Sequence, residues 1–219
     1  MEQRPSARQR IMDAALTVFS ARGYTAAGVE EIAAAAGIKA PSLYKHFKNK
    51  RAIFDAILED MEQRGDRQED VMRAYLLAAA EEDGFFSLIT EDVLVQKTQA
   101  LVHRLLHDEY AGRFRRLLLP AGGEPELQVP ARLYTRRYMT ELIDCHEVLF
   151  DRLMKRGLYR KGDARTMAVQ YVSPICLYIS LCDREPERED EAMAAIAAHI
   201  RQFDRMYALR DTAREREDA

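Results

Sequence analysis

With 219 residues, 47% of them hydrophobic and 32% charged, the chain is long enough for a substantial core and too apolar to be disordered. Only 10 glycines and 7 prolines and few alternating apolar/polar stretches argue against a β-rich protein, so an all-α fold is expected. The net charge of −3 excludes a chain that is basic throughout, so a polyanionic partner would have to be met by one part of it.

The opening MEQRPSARQR has no apolar segment of the kind a secretory signal needs. The longest nearly apolar run, Met167 to Cys182, spans 16 residues and is interrupted by Gln170, Ser173 and Pro174, too short and too polar for a membrane span. Cys145, Cys176 and Cys182 lack CxxC spacing and are expected as reduced thiols of a cytoplasmic protein.

In chain order, Ile11, Ala14, Ala15, Val18 and Phe19 make a stripe of helical period, with Pro5 and Ser6 suited to its start and Gly23 to its end. Val29, Ile32, Ala33 and Ala36 make a second, short stripe that stops at Gly37. A third helix is expected to open near Pro41 and to bury Leu43 and Phe47. Asn49 is placed to cap a fourth with the stripe Ile53, Phe54, Ile57, Leu58 and Met61. Three helices with a tight turn between the second and third predict a helix-turn-helix, whose last helix is the one a DNA groove receives.

Charge agrees with that placement. No Asp or Glu occurs from Ile32 to Phe54, whereas Lys39, Lys45, Lys48, Lys50 and Arg51 all do. Residues 1–64 hold 10 Lys+Arg against 8 Asp+Glu, while the remainder of the chain is acidic, which suggests that only this head meets a polyanion. With Leu43 and Phe47 holding the third helix to its scaffold, Lys39, Ala40, Pro41, Ser42 and Lys45 are left facing outward as candidate base contacts. Ala40 and Pro41 suit a thymine methyl, and Ser42 can donate or accept.

Residues 8–58 resemble the DNA-binding region of TetR/AcrR-family transcriptional regulators. The matching positions are Ala15 and Phe19, Gly23 and Tyr24, Ile32, Ala33, Ala36, Gly37 and Ile38, then Leu43, Tyr44, His46, Phe47 and Lys50. The resemblance implies backbone-clamping roles for Tyr44, His46 and Lys50, with Lys48 as a further phosphate contact. The chain departs from the family pattern in two places. Ala27 and Gly28 stand where hydroxyl residues usually precede the second helix, and Lys39 stands where Ser or Thr usually precedes the recognition helix. The lost hydroxyls weaken a cap by about 1 kcal/mol. Lys39 supplies a charge instead, either to a phosphate or to a guanine edge.

Beyond residue 64, taken as the end of the DNA-binding domain, helices are expected near 66–82, 86–106, 108–119, 131–156, 163–182 and 189–209. A loop is expected over Pro120–Pro130 and a turn at Arg184–Asp190. The resemblance makes residues 65–219 an effector-binding and dimerisation domain. Leu94, Thr98, Leu101, Tyr134, Tyr138, Leu142 and Cys145 are the candidate pocket wall for a small, mainly apolar effector. Val172, Ile175, Ile179, Ile196, Ile200, Phe203 and Tyr207 are the candidate homodimer seam, in a four-helix bundle across a two-fold axis. The same stripes also suit a purely intramolecular core. The implied activity is that of a dimeric repressor on a palindromic DNA operator, released by its effector, with no cofactor and no metal.

Two other classes compete. A metal-binding helical enzyme would draw on His103 and His107, or on His146 with Glu141 and Asp144, but no H-E-x-x-H or E-x-x-H occurs, since Ala100, Arg104 and Ile143 stand three residues before those histidines. A nucleophile elbow, a Walker loop and a GxGxxG are likewise missing. A helical adaptor would use the basic face of the head on an acidic protein partner. Sequence-selective DNA binding separates a regulator from an adaptor.

Overall fold

The computed structural model describes residues 5–64, 90–118 and 125–209, the side chains of residues 137 and 138 excepted. The regular elements among them are helical, with one isolated backbone bridge between Tyr159 and Ala208. They are α1 (Ala7–Arg22), α2 (Val29–Ala35), α3 (Ala40–Leu43), α4 (50–64), α5 (Glu91–His107), α6 (Glu109–Leu118), α7 (Pro125–Thr135), α8 (Glu141–Lys155), α9 (Ala164–Cys182) and α10 (Glu189–Tyr207). A π-helical turn, Arg136–Thr140, joins α7 to α8, and a 3-10 turn, Pro186–Arg188, precedes α10. No described helix is long and apolar enough to cross a membrane. The helix expected near 66–82 lies outside the described residues.

Packing divides these elements into two compact units. The first holds α1–α4 with α6 and most of α7, and the second holds most of α5 with the π-turn, α8, α9 and α10. Drawn along the chain, the head was expected to end at residue 64. Packing adds α6 and α7 to it, because α6 lies against α1 and buries Tyr110, Phe114, Leu117 and Leu118, and the Arg64 guanidinium of α4 sits 4.4 Å from the Tyr110 ring centre.

Local chemistry sets the helix ends of the first unit. Ser6 Oγ accepts from Gln9 N–H at 3.1 Å to cap α1, and Gly23, at φ 81°, donates its N–H to Phe19 at 2.8 Å to close it. Asn49 Oδ1 accepts from Ala52 N–H at 2.8 Å, capping α4. The N-cap of α2 is Gly28, without a side-chain hydrogen bond, as its missing hydroxyl implied. The core is aromatic at its centre. Phe19, Tyr24 and Phe54 meet with ring centroids 5.0 to 6.1 Å apart, and Ile11, Leu16, Ile32, Leu43, Ile53 and Ile57 surround them in full burial.

The loop expected over Pro120–Pro130 is helical from Pro125 onward. Pro125 suits a first turn, where its missing N–H has no helical partner to lose. Leu127, Pro130 and Tyr134 then form a buried stripe at spacings of three and four, and Tyr134 meets Phe114 edge-on at 5.9 Å. That burial offsets the one backbone bond lost at Pro130.

In the second unit Leu149, Phe150, Leu153, Met167, Ala168 and Phe203 form one core, joining α8, α9 and α10. Val95, Val102, Ile196, Ala197 and Ile200 form another, joining α5 to α10. Asp163 caps α9 by accepting from Thr166 N–H at 2.7 Å. Ion pairs fasten the outside: Arg165 bridges Asp144 and Glu147, and Arg201 and Arg205 reach Glu91. Such exposed pairs contribute little each, so the two cores carry the unit.

Candidate functional site

Gly37, at φ 69°, turns the chain sharply between α2 and α3, a conformation that costs a side-chain-bearing residue but not glycine. The recognition helix that follows is short. It runs as α-helix only over Ala40–Leu43 and continues as turns through His46, with Lys39 at its N-cap. Leu43 is fully buried and Phe47 nearly so, so the expected brace is in place although Phe47 falls beyond the helix. The Arg8 guanidinium lies 4.5 Å from the centre of the Phe47 ring and covers it from α1. The one signal of Arg8 in the sequence is a cation in the first turn of α1, where the helix dipole gives it no reason to be.

Around this brace Lys39, Pro41, Tyr44, Lys45, His46 and Lys48 are exposed, while Ala40 and Ser42 are half-exposed. Lys39, Lys45 and Lys48 form no salt bridge with an acidic side chain among the described residues. The basic segment therefore presents three uncommitted charges on a surface that also offers hydroxyl, imidazole and methyl groups. These are the chemical features that meet phosphates and base edges.

The other two cations of the segment are committed elsewhere. Arg51 pairs with Asp55 at 2.7 Å. Lys50, expected on a phosphate, donates all three of its N–H groups to backbone carbonyls: Tyr24 at 2.8 Å, Thr25 at 3.1 Å and Ala27 at 3.0 Å. Its Nζ also lies 4.6 Å from the centre of the Tyr24 ring. An ammonium has three donors and no more, so Lys50 ties the α1–α2 connection to the start of α4 instead of facing outward. The carbonyls after α1 end without helical partners, and a cation is what they attract.

The expected effector residues separate. Leu94, Thr98, Leu101, Leu142 and Cys145 lie half-buried in the second unit. Tyr134 belongs to the first unit, sealed against Phe114, and the side chain of Tyr138 lies outside the described residues. Tyr171 of α9, missed in the sequence because it looked like one more apolar-face residue, links the remaining candidates. Its hydroxyl meets Thr98 Oγ1 at 3.5 Å, its ring lies 5.3 Å from that of His146, and its carbonyl accepts from His199 Nε2 at 3.0 Å. Burial pushes the Tyr171 phenol pKa up and pulls the His146 imidazole pKa down, so both are uncharged at neutral pH. His146 thus packs in this cluster, and His103 on α5 bonds Glu189 at 2.9 Å.

Of the expected dimer seam, Val172, Ile196, Ile200 and Phe203 are sealed inside the protomer, whereas Ile175, Ile179 and Tyr207 pack on the same cores and stay partly exposed. The faces of α9 and α10 left open carry Val169 and Leu177, the latter 65% exposed, with Ala194, Ala198 and Met206. A nearly all-apolar α9 hides which side turns inward, and the partners that decide it come from α5, α8 and α10.

Residues 11–57 match the family described as bacterial regulatory proteins, tetR family. The regulator YdgC of Bacillus subtilis is 35% identical over 97 residues, which are 39% of this chain and 48% of YdgC. The transcriptional activator FasR of Mycolicibacterium smegmatis is 45% identical over 56 residues, 26% of each chain. The match thus spans about half of one relative and a quarter of the other. Over the whole fold, the chain resembles SmeT of Stenotrophomonas maltophilia in its complex with triclosan, with a TM-score of 0.64 at 20% identity, covering 93% of this chain and 92% of SmeT. Proteins of this family are regulators and not enzymes, and the helix-turn-helix built on Gly37, Leu43 and Phe47 is the part of the chain that carries the likeness. Residues 11–57 are thus a helix-turn-helix of the tetR family of transcriptional regulators, and the chain as a whole shares the all-helical fold of its solved members.

Proposed function

We propose that the protein is a cytoplasmic, dimeric repressor that binds a palindromic DNA operator and leaves it when a small, mainly apolar effector enters the second unit. The observation that carries the DNA-binding part is the set of three exposed lysines without acidic partners, Lys39, Lys45 and Lys48, around a recognition turn braced from within by Leu43 and Phe47. Lys39, Ala40, Pro41, Ser42 and Lys45 serve base edges or, for Lys39, a phosphate. Tyr44, His46 and Lys48 serve the backbone. A turn this short reads few base pairs, so useful selectivity needs two copies on two half-sites.

The open apolar faces of α9 and α10, on which Leu177 is the most exposed large side chain, are the surface we assign to the second copy. Support for a small effector comes from SmeT, the repressor of a multidrug efflux pump, which was captured with triclosan, and from the half-buried side chains Leu94, Leu101 and Leu142. Repression is the simpler assignment, because release from an operator requires only a loss of binding. Ligand and DNA then weaken each other by the same factor.

Fluorescence anisotropy on the DNA flanking the gene, against scrambled DNA and across salt, tests the reading. Lys48 of each protomer, joined by Lys39 where it takes a phosphate, predicts a slope of log K on log salt of about −2 to −4, with a preference of several orders of magnitude for one site. Salt-sensitive binding without preference would instead mark an adaptor. Leu177→Arg is expected to yield monomers in sedimentation and to cost most of the operator affinity.

A further inference from the structure

The interior of the second unit contains polar atoms that the fold leaves only partly used. His146 Nδ1 lies 2.8 Å from the Leu142 carbonyl. A carbonyl can only accept, so the proton of the neutral ring sits on Nδ1, and Nε2 carries a bare lone pair. No donor among the described residues reaches that nitrogen. The Tyr171 hydroxyl has Thr98 Oγ1 alone, at 3.5 Å, the outer limit of a hydrogen bond. Phe150 and Phe203 close one side of this group at 3% and 4% exposure. His146, Tyr171 and Thr98 are not sealed in that way. Each keeps accessible surface, as do Leu94 of α5, which packs on the same core as Tyr171, and Leu142 of α8, whose carbonyl His146 meets.

We infer that this interior takes an uncharged, mainly apolar molecule bearing one O–H or N–H donor, a phenol or an alcohol, whose proton His146 Nε2 accepts, and that it turns away the matching carboxylate. The inference rests on the effector-site reading above and narrows it to a ligand class. A carboxylate would set its lone pairs against that of Nε2, and protonating the ring to relieve this is opposed by the same desolvation that keeps it neutral. An ether of the same shape leaves Nε2 desolvated and unpaired, which is the stronger form of discrimination a polar site offers. The Tyr171 and Thr98 hydroxyls can each donate or accept, so they adapt to whatever the ligand oxygen still needs.

Calorimetric titration of the full chain with para-pentylphenol, its methyl ether and para-pentylbenzoate tests the class, on the unaltered protein, His146→Phe and His146→Gln. The unaltered protein is expected to bind the phenol at least roughly tenfold more tightly than either analogue. His146→Phe should bring phenol and ether within about threefold of each other, and His146→Gln, whose side-chain carbonyl accepts, should restore part of the gap. Nitrogen-15 histidine spectra should show the Nδ1–H tautomer before ligand and a shifted Nε2 resonance after it. A phenol preference untouched by His146→Phe overturns the assignment and leaves an effector site standing, as does a benzoate bound as tightly as the phenol. If none of the three binds to protein that still binds DNA, the effector-site reading falls together with the inference.

Discussion

The two units turn their spare polar capacity in opposite directions. In the first, Lys39, Lys45 and Lys48 point charge outward from a sealed aromatic core. In the second, His146 and Tyr171 keep uncharged polar atoms inside. Solvent makes the difference. An exposed ammonium is hydrated at no cost and can wait for a polyanion, whereas a buried group must shed its charge to stay buried. One surface therefore suits phosphate and its salt-dependent attraction, and the other suits a neutral ligand recognised by a single hydrogen bond.

The strongest way to break the contrast is to remove the core that holds the outward charges in place. Phe54→Ala takes away the ring shared by Phe19 and Tyr24 and is expected to cost about 3–5 kcal/mol in urea denaturation, with DNA binding lost alongside. Next comes Lys50→Met. Removing three donors to the Tyr24, Thr25 and Ala27 carbonyls should destabilise the head by about 2 kcal/mol while leaving the salt slope of DNA binding unchanged. A flatter slope at undiminished stability would return Lys50 to the phosphates. Lys48→Ala should do the reverse, lowering the slope by about two units in a dimer that loses one phosphate contact per protomer, with stability changed by less than about 0.5 kcal/mol.

Inside the second unit the lever is pH. Burial holds the folded pKa of His146 below its ordinary value, so between the two values the unfolded chain binds the extra proton. Stability is then fully present above the ordinary histidine range and is lost as pH falls through it toward the folded pKa. His146→Phe should remove that component from denaturation curves taken across mildly acidic pH, and an unchanged acid dependence would assign it to other groups. The smallest effect is expected from Lys39→Ser. A changed base preference in a half-site selection would place Lys39 at a guanine edge, and even weakening across sequences would place it on a phosphate.

Much of the first unit was legible because its determinants are local. Ser6, Gly23, Gly37 and Asn49 end or start helices through contacts within about one turn, and Leu43 and Phe47 share one side of a short segment. The inward turn of Lys50 is hidden in the sequence for the complementary reason. Its partners lie 23 to 26 residues away, and nothing in the run of lysines distinguishes the one that turns inward. The helix begun at Pro125 was hidden by two prolines that read as loop, until the stripe of Leu127, Pro130 and Tyr134 found Phe114 to pack on.

By itself, the order of residues determined the helical class, the turn between α2 and α3, and the concentration of positive charge beside it. These depend on backbone geometry and charge density over a few residues. Which side of α9 is core and which is open, whether a lysine serves carbonyls or solvent, and that α6 and α7 join the head were decided only by tertiary structure. Each of those outcomes depends on what another segment, 20 to 100 residues distant, brings to the same place. Burial is a property of that meeting and not of either segment alone.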